Sequence, residues 1–147
     1  MAEILETTTI ARSPNDVWAT LADFGAIGLC APNVDQSCLA AKQGDGVGAV
    51  RRVQVGRNAL LERVAEWEPG HKLAYSIEGL PPVVRSVINT WELEGSGAAT
   101  TVTLTSRIDT GPRPPQQVVA RLFGRVLGKA SQEMLAGLKT HLEEQAA

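Results

Sequence analysis

The sequence predicts an α+β fold: a seven-stranded antiparallel sheet wrapped around one long C-terminal helix, with two short helices between the first and second strands. Three observations carry this prediction. A β-branched opening at Ile4–Ala11 runs into a helix start at Ser13-Pro-Asn-Asp16. Glycine and proline then divide Gln36–Asp109 into six strand-like segments with no helix-period stretch between them, so the crossovers that a parallel sheet needs are missing. After Arg113-Pro-Pro115 the apolar spacing changes to three- and four-residue steps and keeps that period almost to the C-terminus.

The elements follow in order. Ile4-Leu-Glu-Thr-Thr-Thr-Ile-Ala11 has the composition of a strand. Ser13 can cap the free amides of a helix, Pro14 suits its first turn, and Asp16 complements the positive end of the dipole. Val17, Leu21 and Phe24 fall on one side of that helix, with Trp18 beside them. Gly25 and Gly28 end or bend it, and Cys30-Ala-Pro-Asn33 closes a second short piece before Val34. Turns are expected at Gly44-Asp-Gly46, Gly56-Arg-Asn58, Glu68-Pro-Gly-His71, Gly79-Leu-Pro-Pro82 and Gly95-Ser-Gly97. On the final helix Val118, Val119, Phe123, Val126, Leu127, Ala130, Met134 and Leu138 form the apolar stripe, with Arg121, Arg125, Lys129 and Gln132 opposite. A long helix laid on a sheet commonly leaves a space between the two, and an apolar space of that kind binds small molecules.

Composition narrows the function classes. The 147 residues fit one domain, expected to span 1–147, and suffice for a core without a metal or disulfide staple. Fourteen basic and sixteen acidic residues leave a net charge of -2, which points to no nucleic-acid partner. Met1-Ala-Glu-Ile-Leu-Glu6 does not read as a signal peptide and no segment has the length and apolarity of a bilayer span, so a cytoplasmic protein without membrane insertion is expected. Cys30 and Cys38 have no zinc-ligand spacing and are expected as buried thiols. No metal and no cofactor is expected.

Several local marks occur in a telling order: Ser13-Pro-Asn-Asp-Val-Trp18, Gly46-Val-Gly-Ala-Val-Arg51, Glu62-Arg-Val64, Trp67-Glu-Pro-Gly70, Leu73-Ala-Tyr75, Trp91-Glu-Leu93 and Thr101-Val-Thr-Leu104. In this order, from Ile4 to about Leu142, the chain resembles the SRPBCC or START-like superfamily of helix-grip proteins, and within it the bacterial polyketide cyclase/dehydrase branch. The resemblance implies a cavity between the concave face of the sheet and the long helix, filled by a hydrophobic ligand such as a lipid or polyketide.

Alternation suggests which side chains face that space. Arg51 is in phase with Val53 and Val55, and Tyr75 with Leu73 and Ile77. Val87, Asn89, Trp91 and Leu93 share one side, as do Val102, Leu104, Ser106 and Ile108. Between Ala59 and Trp67 the phase is ambiguous: Leu60, Glu62 and Val64 compete with Leu61, Arg63, Ala65 and Trp67. The resemblance favours Glu62 inward, because hormone receptors of the superfamily carry a pocket glutamate in a similar setting. The candidate ligand-binding residues are therefore Arg51, Glu62, Tyr75, Ile77, Asn89, Trp91, Phe123 and Leu127, with Arg51, Glu62 and Tyr75 as candidates for any catalytic role.

Other patterns fail on context. Gly44-x-Gly46-x-Gly48 leads into a strand and is no dinucleotide fingerprint, and Gly124-Arg-Val-Leu-Gly-Lys129 lies inside a helix without phosphate-loop spacing. His71 falls in a turn and His141 near the C-terminal end, so no nucleophilic triad is supported. Three functions remain: a carrier of a hydrophobic small molecule, a cyclase/dehydrase that closes a poly-β-ketone by aldol reaction and dehydration, or a filled subunit acting through its surface. Oligomeric state is not readable.

Overall fold

A computed structural model describes residues 2–29, 34–40, 45–55, 58–80, 84–109 and 114–145; the side chains of Ala2, Ala26, Leu29, Asn58, Ser96, 114–123 and Gln145 lie outside the description. Seven strands, β1 (Ala2–Ile10), β2 (Gln36–Leu39), β3 (Val50–Val55), β4 (Asn58–Glu68), β5 (Lys72–Glu78), β6 (Ser86–Ser96) and β7 (Ala99–Asp109), form one sheet in the order β1-β7-β6-β5-β4-β3-β2. Every neighbouring pair is antiparallel. The chain thus climbs from β2 to β7 by successive hairpins and uses β1 to extend the far edge. Helix α1 (Pro14–Ala22) follows β1, and α2 (Pro114–Gln145) closes the chain.

Helix α1 starts as its sequence dictates. The Ser13 hydroxyl accepts from the Asp16 amide at 3.2 Å, and Asp16 pairs with Arg12 at 3.1 Å. Val17 and Leu21 turn into the core, while Trp18 packs edge-on against Trp67 with ring centroids 5.1 Å apart. The expected second short helix is no α-helix among the described residues: Phe24–Leu29 forms a 3-10 segment. Cys30-Ala-Pro-Asn33 lies outside the described residues. Cys38, expected as a buried thiol, is exposed on the short edge strand β2.

On the last two strands burial alternates strictly along the concave face. Along β7, Val102, Leu104, Ser106 and Ile108 are buried; along β6, Val87, Asn89, Trp91 and Leu93. The ambiguous phase of β4 has a structural cause. The register shifts between Val64 and Glu66, a bulge that lets Glu62 and Val64 be buried on one side of it while Trp67 packs against the same core on the other. An unbroken two-residue period cannot describe both halves of that strand.

Helix α2 lies mainly along β1 and reaches β7. Its buried stripe is Gly124, Gly128, Ser131, Leu135, Leu138 and Leu142. This is rotated from the expected stripe, and Val126 points to solvent at 64% exposure. Two glycines explain the rotation. A Cβ on Gly124 would sit 3.0 Å from Cδ1 of Ile4, and one on Gly128 3.5 Å from its Cγ2, so the helix approaches β1 through its glycines instead of through Val126. The C-terminal end of α2 is tied to the chain after β1. Arg12 Nη1 donates to the Leu142 carbonyl at 2.8 Å, and Glu143 accepts the Ala11 amide at 2.9 Å.

Among the described residues most of the buried apolar side chains fall into two clusters. The larger includes Phe24, Leu73, Tyr75, Trp91, Leu104, Leu135 and Leu138; the smaller comprises Val84, Val87 and Ile108 with Ile4, Leu80 and Leu127 packed on it. Ile77 packs against both. The boundary crosses β6 between Trp91 and Val87 and β7 between Leu104 and Ile108. The side chains at that boundary are Asn89 and Ser106.

Candidate functional site

The inward residues of five adjacent strands bring a polar chain across the middle of the concave face. Arg51 of β3 stands directly opposite Glu62 of β4. Tyr75 of β5, Asn89 of β6 and Ser106 of β7 lie on one rung of the sheet. Each of these five is buried.

At one end, Arg51 Nε donates to Glu62 Oε1 at 2.6 Å and Nη1 to the Phe24 carbonyl at 3.0 Å. The guanidinium also lies over two rings, 4.0 Å from the Phe24 centroid and 4.7 Å from that of Tyr75. The side chains of the pair are 2% and 8% exposed, so neither charge is shared with solvent and each depends on the other. A guanidinium offers more N–H groups than Glu62 and one carbonyl take up, even with a two-pronged grip on the carboxylate. Among the described residues, no third acceptor takes up the rest of the fork.

At the other end, the Tyr75 oxygen accepts from Trp91 Nε1 at 3.2 Å and from Asn89 Nδ2 at 3.4 Å. Ser106 Oγ donates to Asn89 Oδ1 at 2.7 Å. No described residue accepts the Tyr75 proton. Burial pushes the Tyr75 pKa up from 10.0 and the Glu62 charge pushes it further, against the opposing pull of Arg51 and the two N–H donors. At neutral pH the hydroxyl keeps its proton.

The candidate residues thus separate. Arg51, Glu62, Tyr75, Asn89 and Trp91 come together, and Ile77 joins them as the side chain touching both apolar clusters. Leu127 packs in the smaller cluster on α2. The Phe123 side chain and the Pro81-Pro82 part of the turn after Gly79 lie outside the described residues. Two contributors escaped sequence reasoning: Phe24, which supplies a ring and a carbonyl to Arg51, and Ser106, which orients Asn89. Ser106 left a readable trace as the one hydroxyl among Val102, Leu104 and Ile108. Phe24 left none, since its carbonyl is aimed by the 3-10 segment. Among the described residues, no three His, Cys, Asp or Glu side chains group as metal ligands would, and no helix is long and apolar enough to cross a membrane.

An antiparallel sheet gripping a long C-terminal helix, with a polar chain on its concave face, defines a START-like architecture. Residues 1–143 match the family described as polyketide cyclase/dehydrase and lipid transport, and the chain belongs to that family. Solved structures agree on the fold. An aromatase/cyclase, Zhui, from Streptomyces sp. R1128 is 20% identical with a TM-score of 0.82, over 99% of this chain and 96% of its own. A protein from Thermobifida fusca is 24% identical with a TM-score of 0.82, over 98% and 95%. A START superfamily protein from Mycobacterium smegmatis is 14% identical with a TM-score of 0.75, over 97% and 98%. No curated protein matches the sequence.

Proposed function

We propose that the chain is a single domain that binds a hydrophobic small molecule, such as a lipid or polyketide, between the sheet and α2. Apolar walls hold the molecule, and Arg51, Glu62 and Tyr75 orient it. One observation carries the reading: a fully buried hydroxyl, at the boundary of two apolar clusters, whose proton no described residue accepts. A buried donor left unmade costs about 1–3 kcal/mol, and a ligand oxygen at that point removes the penalty. The family's description, which includes lipid transport, supports the same reading. The exposed thiol of Cys38 suits a reducing compartment, and the cytoplasm is part of the proposal.

A second reading is favoured by the pairing of Tyr75 with Arg51 and by the likeness to an aromatase/cyclase. In it the protein is a cyclase/dehydrase. Arg51 stabilises an enolate oxygen and Tyr75 or Glu62 moves a proton while the fold confines the chain being closed. Native mass spectrometry of the protein from its own host, with extraction of any adduct, tests the first reading. An apolar adduct that weakens in Tyr75→Phe supports it; a clean mass, with no thermal stabilisation by lipids or aromatic polyketides, refutes it. With the adduct's precursor in hand, Tyr75→Phe separates the two readings. A carrier loses modest affinity, whereas a cyclase loses turnover and still binds product.

A further inference from the structure

We infer that Asn89, Trp91 and Ser106 lock Tyr75 as an obligate hydrogen-bond donor, so that the site selects a neutral ligand with an acceptor oxygen, such as a ketone, over the same skeleton bearing a carboxylate. The inference rests on the ligand-binding reading above and specifies the polarity of what is bound.

Indole nitrogen has only a proton to give, so Trp91 must donate to the Tyr75 oxygen. Asn89 could in principle present either end of its amide to Tyr75, and Ser106 decides between them. The Ser106–Asn89 separation is 2.7 Å, the length of an O–H···O bond and shorter than the usual N–H···O separation of about 2.9 Å. The amide oxygen therefore faces Ser106, which leaves the amide nitrogen facing Tyr75, at 3.4 Å. With two N–H groups on its oxygen, the phenol has only its proton left to offer. Every hydrogen in the chain from Ser106 through Asn89 to Tyr75 points the same way, toward the ligand.

Charge sets the second half of the preference. Arg51 is the other donor at the site, but its charge is already matched by Glu62 at 2.6 Å. A bound carboxylate would add an unmatched negative charge beside Glu62 in a buried setting, where such a charge is costly. A ketone accepts from Tyr75 without that cost. Asn89, Trp91 and Ser106 act through Tyr75 and are positioning residues.

The test compares three probes of one shape: acetophenone, its isostere α-methylstyrene, and benzoate, each titrated at neutral pH by ligand-observed NMR. Acetophenone should bind about five- to tenfold tighter than either of the others, the value of one hydrogen bond in a buried site. With a carbon-labelled carbonyl, its bound resonance should move downfield. Tyr75→Phe should bring the acetophenone to α-methylstyrene ratio to near one and abolish the shift. Asn89→Asp puts an acceptor where the amide N–H was, so it should divert the Tyr75 proton and remove the carbonyl shift while the hydroxyl is still present, a result that loss of packing alone does not give. A ratio near one in the unaltered protein, or a carbonyl shift that survives in Tyr75→Phe, overturns the donor assignment and leaves the container reading intact. Failure of all three probes to bind takes both down.

Discussion

Replacing Glu62 by leucine should destabilise the fold more than replacing both members of its ion pair. Glu62 touches Arg51 at 2.6 Å with both side chains almost wholly buried, so among the described residues Glu62→Leu leaves the guanidinium charge with the Phe24 carbonyl and two aromatic faces for company. Stranding one member of a buried pair costs about 3–5 kcal/mol. In a chain of this length that corresponds to a fall in melting temperature of roughly 10 °C. The double variant Arg51→Leu/Glu62→Leu buries no charge. Its chief defect is the orphaned Phe24 carbonyl, worth about 1–3 kcal/mol, so it should recover part of the loss suffered by Glu62→Leu alone. Urea unfolding followed by far-UV circular dichroism, extrapolated linearly to water, measures Glu62→Leu, Arg51→Leu and the double variant. A loss below about 1 kcal/mol for Glu62→Leu, or additive losses in the double variant, would refute the buried-pair argument. The double variant also separates stability from function: it should fold and yet fail to hold the ligand in a fixed orientation.

Tyr75 is the only tyrosine, so its phenolate absorbance is a clean probe. Its pKa is raised in the fold, mainly by burial, so the stability it contributes is complete below the ordinary value of 10.0 and is lost as pH rises beyond it. Phenolate absorbance should therefore appear only together with alkaline unfolding; titration near pH 10 in a folded protein would show that the hydroxyl meets solvent. Glu143 behaves in the opposite sense. The Ala11 amide, with Lys139, holds its pKa below 4.5, so its contribution is present above that value and fades as pH falls through the depressed one; Glu143→Gln should flatten the acid limb of a stability profile. Gly128→Ala should stabilise by up to about 1 kcal/mol, because the added carbon meets Ile4 at an ordinary contact distance of 3.5 Å, whereas Gly124→Ala, at 3.0 Å, should gain less. Thermal melts rank the two, and the reverse order would misplace α2 on β1.

The sheet was legible in the sequence because its long strands β1, β6 and β7 keep an unbroken two-residue period and turn residues mark the remaining strand ends. Arg51, Tyr75, Asn89 and Trp91 could be assigned inward from alternation alone. Glu62 could not, because the bulge after Val64 lets Glu62 and Trp67 serve the same core from opposite phases of one strand. On α2 the apolar period found the helix but not its facing. Periodicity counts a glycine as empty, and the side of the helix that meets Ile4 is the one with Gly124 and Gly128. The same blindness to backbone hid Phe24, whose contribution to Arg51 is partly a carbonyl. Short-range chemistry was read well where it was local, as in the Ser13 cap; contacts made by main-chain atoms of distant segments had no signal to find.

The proposed ligand space lies between the two apolar clusters, along the rung of Tyr75, Asn89 and Ser106. Crystals pressurised with xenon test it most directly, since xenon fills apolar cavities and is seen by its anomalous scattering. The account predicts a xenon site in contact with Ile77 and near the Tyr75 hydroxyl. Xenon absent from that space, with side chains of α2 packed against Asn89 and Ser106, would contradict it and turn the search toward the protein's outer surface.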